Sequence, residues 1–297
     1  MQVKCSRLNR CRHRVSVQAV FVSLALKVLG SSGGYPVRGL PCSGYLVTVD
    51  QENILLDCGP GIATALLADG RHCGLDGVVI SHLHPDHVLD LVPLAYALLA
   101  EWLVDGRTTP LPLCIPQGGL QFLQRFSDLF GHRNWQFPSD VDEPGKRALA
   151  ASVQERHDWL LTVFDVREYA IGDTLRLGAN LIETHAVDHN APTAAMRIEK
   201  DGARIVYSAD ARFDPTLVGF AASADLFLVD AHMSGPLAGG AHMSPAEAGR
   251  LAALAGVREL VLCHLAAPED GPSARATAAQ HFSGAIHLAF ETREYRL

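Results

Sequence analysis

Apolar residues in this chain fall into short runs separated by polar turns, and the period of those runs switches repeatedly between strand-like and helix-like. Lys27-Val28-Leu29-Gly30 closes the first run and reads as a strand. Residues 45–49 and 54–56 are β-rich and are joined by the polar turn Asp50-Gln51-Glu52-Asn53, which predicts a hairpin. Asp57-Cys58-Gly59-Pro60-Gly61 then opens a helix over 62–68, its glycines permitting a tight exit. Residues 77–81 read as a buried strand, 89–103 as a mostly buried helix, 113–115 as a strand and 119–130 as an amphipathic helix.

The stretch 131–157 mixes proline, aspartate and charged residues and predicts little beyond a helix over 148–159, with Trp135 and Trp159 as candidates for a pocket wall. β-rich runs then resume at 162–169, 175–177, 180–185, 194–199, 204–208, 226–230 and 259–263. Ser244 caps a helix running to residue 255, with Pro245 at its first position and Glu247 placed to complete a capping box. Both halves thus repeat one style. The expectation is an internal pseudo-duplication in one α/β domain, two sheets flanked by helices.

Composition narrows the class. A 48% hydrophobic and 19% charged chain of 297 residues can bury a substantial core. The net charge of −7 argues against a general nucleic-acid binder, which needs a basic footprint to displace counterions from phosphates. The seven cysteines are irregularly spaced and form no CxxC pair, so a reducing cytoplasm is the default compartment. The basic start (Lys4, Arg7, Arg10, Arg12, Arg14) precedes an apolar stretch over 15–29. That stretch flows into the first strand, has no small-x-small cleavage site and is interrupted by Ser16, Gln18, Ser23 and Lys27, so neither a secretory signal nor a membrane span is expected. Residues 1–23 read as a non-core extension, and 24–297 as the domain.

The candidate chemistry starts at Ser81-His82-Leu83-His84-Pro85-Asp86-His87. Four metal-competent side chains fall within six residues, between an apolar strand and a helix. Imidazole nitrogens and carboxylate oxygens suit a borderline divalent ion. One tetrahedral site cannot easily use all four, so the spacing points to two ions.

The sequence His82-Leu-His84-Pro-Asp86-His87 resembles the HxHxDH signature of the metallo-β-lactamase fold superfamily, and its ribonuclease Z and phosphodiesterase-like branch in particular. The resemblance extends through Leu29-Gly-Ser-Ser-Gly-Gly34, Pro41-Cys-Ser-Gly-Tyr-Leu46, Leu56-Asp-Cys-Gly-Pro-Gly61, Tyr207-Ser-Ala-Asp210 and Leu262-Cys-His-Leu265. It implies a four-layer αβ/βα sandwich and two divalent cations, zinc first, with manganese or iron accepted by the same donors. It implies His82, His84 and His189 on the first ion, Asp86, His87 and His264 on the second, and Asp210 bridging. His185 competes with His189 for its place, which the loop His189-Asn-Ala-Pro-Thr193 before a strand assigns to His189.

Asp57 matches a family aspartate beneath the site, where it would accept a hydrogen bond from a ligand imidazole; capping a turn is an equal alternative. His242, in Gly239-Gly-Ala-His242-Met-Ser244, matches a histidine placed over the metals to protonate or stabilise a departing oxygen. His232 is expected to pack or face solvent, as are His13, His72, His132, His157, His281 and His287. The mechanism implied is attack by a metal-bridging hydroxide, oriented by Asp86, on a small phosphodiester. A ribonuclease Z-like nuclease is the alternative, disfavoured by the acidic balance and the lack of a basic arm. Hydrolysis of a thioester, lactone or sulfate ester is another. A homodimer is one assembly the resemblance allows.

Overall fold

The computed structural model describes residues 24–70, 74–105, 109–130, 159–232, 240–267, 270–289 and 294–297. The expected extension over 1–23, the helix over 148–159 except Trp159, and Trp135, His13, His72, His132 and His157 lie outside the described residues.

The first sheet contains β1 (Leu24–Gly30), β2 (Gly44–Val49), β3 (Glu52–Leu56), β4 (Leu75–Val79), β5 (Leu111–Pro116), β6 (Phe164–Tyr169) and β14 (Glu294–Arg296), in the order β14-β1-β2-β3-β4-β5-β6. The second contains β7 (Thr174–Leu177), β8 (Asn180–Val187), β9 (Thr193–Lys200), β10 (Ala203–Tyr207), β11 (Leu226–Asp230), β12 (Glu259–Cys263) and β13 (Ala285–Leu288), in the order β13-β12-β11-β10-β9-β8-β7. In each sheet an antiparallel set passes into a parallel set, at β3–β4 in the first and at β10–β11 in the second. The two halves therefore repeat one topology, as their alternating pattern predicts.

Strand alternation sorts side chains between layers. Ile54 and Leu56 of β3 face the second sheet, meeting a core that includes Met196, Ile198, Ile205 and Tyr207, whereas Leu55 faces the helices. In β11, Leu226 and Leu228 enter the inter-sheet core while Phe227 and Val229 face outward onto other helices. Such two-sided burial is why β11 reads as a continuous apolar run rather than an alternating one.

Helices α1 (Ile62–Asp69), α2 (Pro85–Val88), α3 (Leu91–Asp105), α4 (Gly119–Phe130) and α5 (Leu160–Val163) accompany the first sheet. Helices α6 (Thr216–Phe220), α7 (Pro245–Ala255) and α8 (Gly271–Ala278) accompany the second. The result is the four-layer αβ/βα sandwich. Among the described residues, no helix is long and apolar enough to cross a membrane.

Two expectations change. Thr162 and Val163 belong to a helical turn rather than to the following strand, which starts at Phe164. Trp159 is a core residue: it is fully buried against α3 and α4, its ring 4.8 Å from that of Tyr96. Parallel pairing of β3 with β4, and of β10 with β11 and β12, sends the exits of those strands to a common edge within each sheet. The candidate side chains stand on those exits.

Candidate metal centre

Each candidate ligand stands where a strand gives way to a loop. His82 follows β4, and His84 takes the extended N-cap position of α2, with Pro85 at the first helical position. That short helix then turns Asp86 and His87 inward. His189 sits in the β8–β9 turn, Asp210 three residues past β10, and His264 directly after β12. The exits are tight: Asp57, Ala209 and His264 hold positive φ angles of 60°, 52° and 57°. Non-glycine residues adopt that region at a cost of about 1–2 kcal/mol each. Such strain persists where surrounding structure imposes it.

Two donor clusters match the expected ligand sets. His82, His84, His189 and Asp210 form one, and Asp86, His87, Asp210 and His264 the other, each with its donor atoms within 4.8 Å of one another; a further group, Asp210, Asp230, His242 and His264, overlaps the second at the same spacing. In the first, His84 Nδ1 lies 3.0 Å from His82 Nε2 and 3.2 Å from His189 Nε2, while Asp210 Oδ2 is 3.7 Å from His82 Nε2. In the second, His264 Nε2 is 3.1 Å from Asp86 Oδ2 and 3.3 Å from Asp210 Oδ2. His87 Nε2 is 3.4 Å from Asp86 Oδ2 and 3.3 Å from Asp210 Oδ1. Tetrahedral donors placed about 2.0–2.1 Å from one ion stand about 3.3 Å apart, so the spacing fits.

Hydrogen bonds at the far side of the His82 and His189 rings show why their inward atoms are lone pairs. His189 Nδ1–H donates to the Ala241 carbonyl at 2.8 Å, which can only accept. Ser81 Oγ–H donates to Asp57 at 2.8 Å and is itself 2.9 Å from His82 Nδ1, so it accepts from that ring. The inward Nε2 atoms of His82 and His189 are therefore lone pairs, and the single proton a neutral His84 can place on Nδ1 serves only one of them. Burial depresses the pKa of all three rings, which keeps them neutral. Moreover, His87 Nε2 and Asp210 Oδ1 are buried and make no hydrogen bond although they point at each other. Clustered lone pairs and orphaned buried atoms are costly unless a cation sits among them. The donor set fits a pair of divalent ions.

The second cluster is electrostatically different. Burial favours neutral His87, but the carboxylates of Asp210 and Asp57 outweigh it and raise its pKa well above the ordinary value. His264 is pushed up to about 8, because Asp210, Asp86 and Asp230 again overcome burial. Burial opposes ionisation of Asp86 and Asp210 as well. The hydrogen bond from His264 and the positive charge of His264 and His87 hold Asp86 far below the usual carboxylate range, and the charge of the same two imidazoles does so for Asp210.

Asp57 serves the centre from beneath. Its Oδ2 accepts from His87 Nδ1 at 2.8 Å, Ser81 Oγ at 2.8 Å and Tyr207 Oη at 2.9 Å, while Oδ1 accepts the Ser81 amide at 2.7 Å. It is placed to orient the ring of the candidate ligand His87. The turn-capping alternative does not describe it.

Asp230, the last residue of β11, carries a comparable role that sequence reasoning missed. Its Oδ2 lies 2.8 Å from His242 Nδ1 and accepts the Ala211 amide, while Oδ1 accepts the His232 amide. Only its position at the end of an apolar run, two residues before a histidine, hinted at this. His242 stands over the donor set, its ring centroid 5.0 Å from that of His264 and 5.2 Å from that of His189.

His232, expected to pack or face solvent, is half-buried at the centre's edge. Its Nδ1 donates to the His264 carbonyl at 3.1 Å and its ring is 4.7 Å from His242. His185 is remote, hydrogen-bonded to Thr216 and stacked on Phe220 at 4.9 Å. His287 pairs with Glu259 at 2.9 Å, and His281 is exposed.

A double cluster of histidine and aspartate at the rim of an αβ/βα sandwich defines a metal-dependent hydrolase. Comparisons with known proteins agree. Residues 118–265 match the family model described as "Beta-lactamase superfamily domain", and residues 24–101 match that described as "Anti-Pycsar protein Apyc1". An uncharacterised protein of Mycobacterium leprae, ML1173, is 31% identical over 272 residues, covering 90% of this chain and 86% of its own length. Ribonuclease Z of Mycobacterium bovis is 30% identical over 287 residues, covering 89% and 95%. The crystal structure of the metallo-β-lactamase fold protein YhfI from Bacillus subtilis superposes with a TM-score of 0.77 at 24% identity, over 92% of this chain and 99% of that one. The chain belongs to the metallo-β-lactamase superfamily.

Proposed function

We propose that the protein is a phosphodiesterase acting on a small phosphodiester with two divalent cations, zinc first. His82, His84 and His189 would hold one ion, Asp86, His87 and His264 the other, and Asp210 both. Bound in this way, the ions would supply a nucleophile from water near neutral pH and neutralise charge on the diester oxygens. The remaining tasks fall to the chain's own side chains. Asp86 has one edge open at the rim, its side chain 10% exposed, and its Oδ2 is fixed by the Gly34 amide at 2.9 Å. It is placed to accept a hydrogen bond from the attacking water and so orient it.

The Asp230–His242 pair is the observation that carries the reading. Asp230 accepts the Nδ1 proton, which leaves Nε2 to deliver a proton at the departing oxygen. His242 is 19% exposed at the side chain, so that edge is reachable. An alkoxide leaves poorly without a proton, whereas a thiolate does not need one, which favours the diester over a thioester. Among the described residues, several basic side chains are bound to acidic neighbours: Arg197 to Glu183, Arg204 to Glu199, Arg212 to Asp188 and Lys200 to Asp50. Such pairing reduces the cationic surface offered to a polynucleotide, which favours a small substrate. The ribonuclease Z relative supports precursor-tRNA cleavage as the second reading. The described cysteines Cys42, Cys58, Cys114 and Cys263 are free thiols, which agrees with a cytoplasmic setting.

The test is turnover of bis(p-nitrophenyl) phosphate, cyclic AMP and a precursor tRNA by zinc-loaded protein, with zinc content measured in parallel. Diester hydrolysis is expected, His84→Ala losing metal and activity together and His242→Ala keeping metal while losing turnover of cyclic AMP. Full activity of the His242 variant, or cleavage of the tRNA alone, would overturn the proposal.

A further inference from the structure

Three consecutive residues ahead of α7 are each anchored to a different part of the centre. The Gly240 carbonyl accepts from Arg212 Nε, the Ala241 carbonyl accepts from His189 Nδ1 at 2.8 Å, and the His242 ring meets Asp230 at 2.8 Å. Of these anchors, Arg212 is the one that touches no candidate ligand side chain. Its guanidinium also donates from Nη1 to Asp188 Oδ1 at 2.6 Å, and its backbone amide donates to the Asp188 carbonyl at 2.8 Å. One side chain thus ties together the turn bearing His189, the loop bearing Asp210 and the loop bearing His242.

An exposed ion pair alone would contribute little. Arg212, however, is two-thirds covered, and the rigid fork of a guanidinium lets it grip a carboxylate and a carbonyl on different loops at once. A lysine, with one compact ammonium, cannot span both in that way. Because a misplacement of about 1 Å can cost about 10²-fold in rate, such a cross-link has a catalytic consequence even though it touches no reacting atom.

We infer that Arg212 is a positioning residue that docks the His242 loop onto the His189 turn and so sets the imidazole over the metal donors. The inference rests on the phosphodiesterase reading only for what His242 does once it is docked. Loss of Arg212 lets the 240–242 loop drift, so proton delivery weakens while both donor clusters stay assembled.

The test compares wild type, His242→Ala, Arg212→Ala, Arg212→Lys and the double variant Arg212→Ala/His242→Ala. Arg176→Ala, an exposed arginine on β7, controls for the lost charge. Zinc content is measured first and is expected to stay at the wild-type value. Turnover is then followed on aryl methyl phosphates graded from p-nitrophenyl, whose oxygen leaves readily, to phenyl, whose oxygen needs a proton. The loss in Arg212→Ala is expected to grow along the series and approach the loss of His242→Ala, about 10²-fold at the phenyl end. Arg212→Lys should fall between, and the double variant should lose no more than His242→Ala alone.

Amide hydrogen exchange gives a readout independent of turnover: residues 240–243 should exchange faster in Arg212→Ala, with β10 and β11 unchanged. An equal loss on every ester, or unchanged exchange at 240–243, overturns the role of Arg212. If instead His242→Ala shows no leaving-group dependence, or wild type cleaves none of the esters, the phosphodiesterase reading fails, and the exchange result alone then decides whether Arg212 holds the loop.

Discussion

A ligand imidazole is useful only when its proton is on the nitrogen facing away from the ion. Asp57 meets that requirement for His87 directly, and for His82 through Ser81. Asp57→Asn keeps the size of the side chain but can present an N–H where His87 Nδ1–H now donates. The His87 ring would then shift its proton to Nε2, the atom that should hold the ion. Zinc affinity at the second cluster is expected to fall about 10–100-fold, read by competition with a chromophoric chelator, while the protein stays folded. Unchanged affinity for both ions would show that Asp57 does not set the tautomer.

The residue scale also shows where sequence reasoning reached. His82, His84, Asp86 and His87 were legible because chance rarely sets four metal-competent donors within six residues. Asp230 and Tyr207 were not, since an aspartate or tyrosine in an apolar run carries no sign of which way its oxygen points. Their roles exist only after two sheets have met, as when Tyr207 crosses the inter-sheet core to reach Asp57.

At the scale of elements, the centre depends on how closely the β3 exit lies against α2. Cys58 exchanges backbone hydrogen bonds with both ends of that turn, accepting from Asp90 at 3.0 Å and donating to His87 at 2.8 Å. Gly59 lies against the same turn, and a Cβ built there would stand 1.9 Å from the Asp86 carbonyl oxygen and 2.9 Å from Cys42 Cβ. A backbone atom cannot swing aside as a flexible side chain can. Gly59→Ala should therefore push α2 away, lowering stability by about 1–3 kcal/mol or more and reducing zinc stoichiometry at the second cluster before the first. Thermal unfolding and metal analysis check this, and a variant with wild-type midpoint and full zinc would show that the loop yields freely. The pattern along the chain placed glycine at this exit but assigned it only the task of a tight turn. Close backbone approach was hidden because the opposing residue is 27 positions away. Elements with plain apolar runs, such as β11 and α4, were legible; short ones such as α6 and β14 were not, because three to five residues hold too few periods to read.

For the whole molecule, the unequal electrostatics of the two clusters predict opposite pH responses in metal-free and metal-loaded protein. In the metal-free form, His87 and His264 have pKa values raised above the ordinary 6.5, the latter to about 8. Their contribution to stability is complete below 6.5 and is lost as pH rises through about 8. His82, His84 and His189 are shifted the other way from 6.5, so they bind protons only when unfolded, and stability falls as pH drops below that value. The two trends cross, and metal-free protein should be most stable near pH 6.5. Zinc requires every imidazole to give up its inward proton, which is hardest for His87 and His264. Metal binding should therefore release protons below pH 8 and tighten as pH rises toward it, moving the stability optimum to the alkaline side. Melting curves between about pH 5.5 and 8.5, taken with chelator and with excess zinc, test the shift. Coincident optima would mean that the carboxylates around His264 do not hold it protonated, and that the two clusters differ less in charge than their geometry indicates.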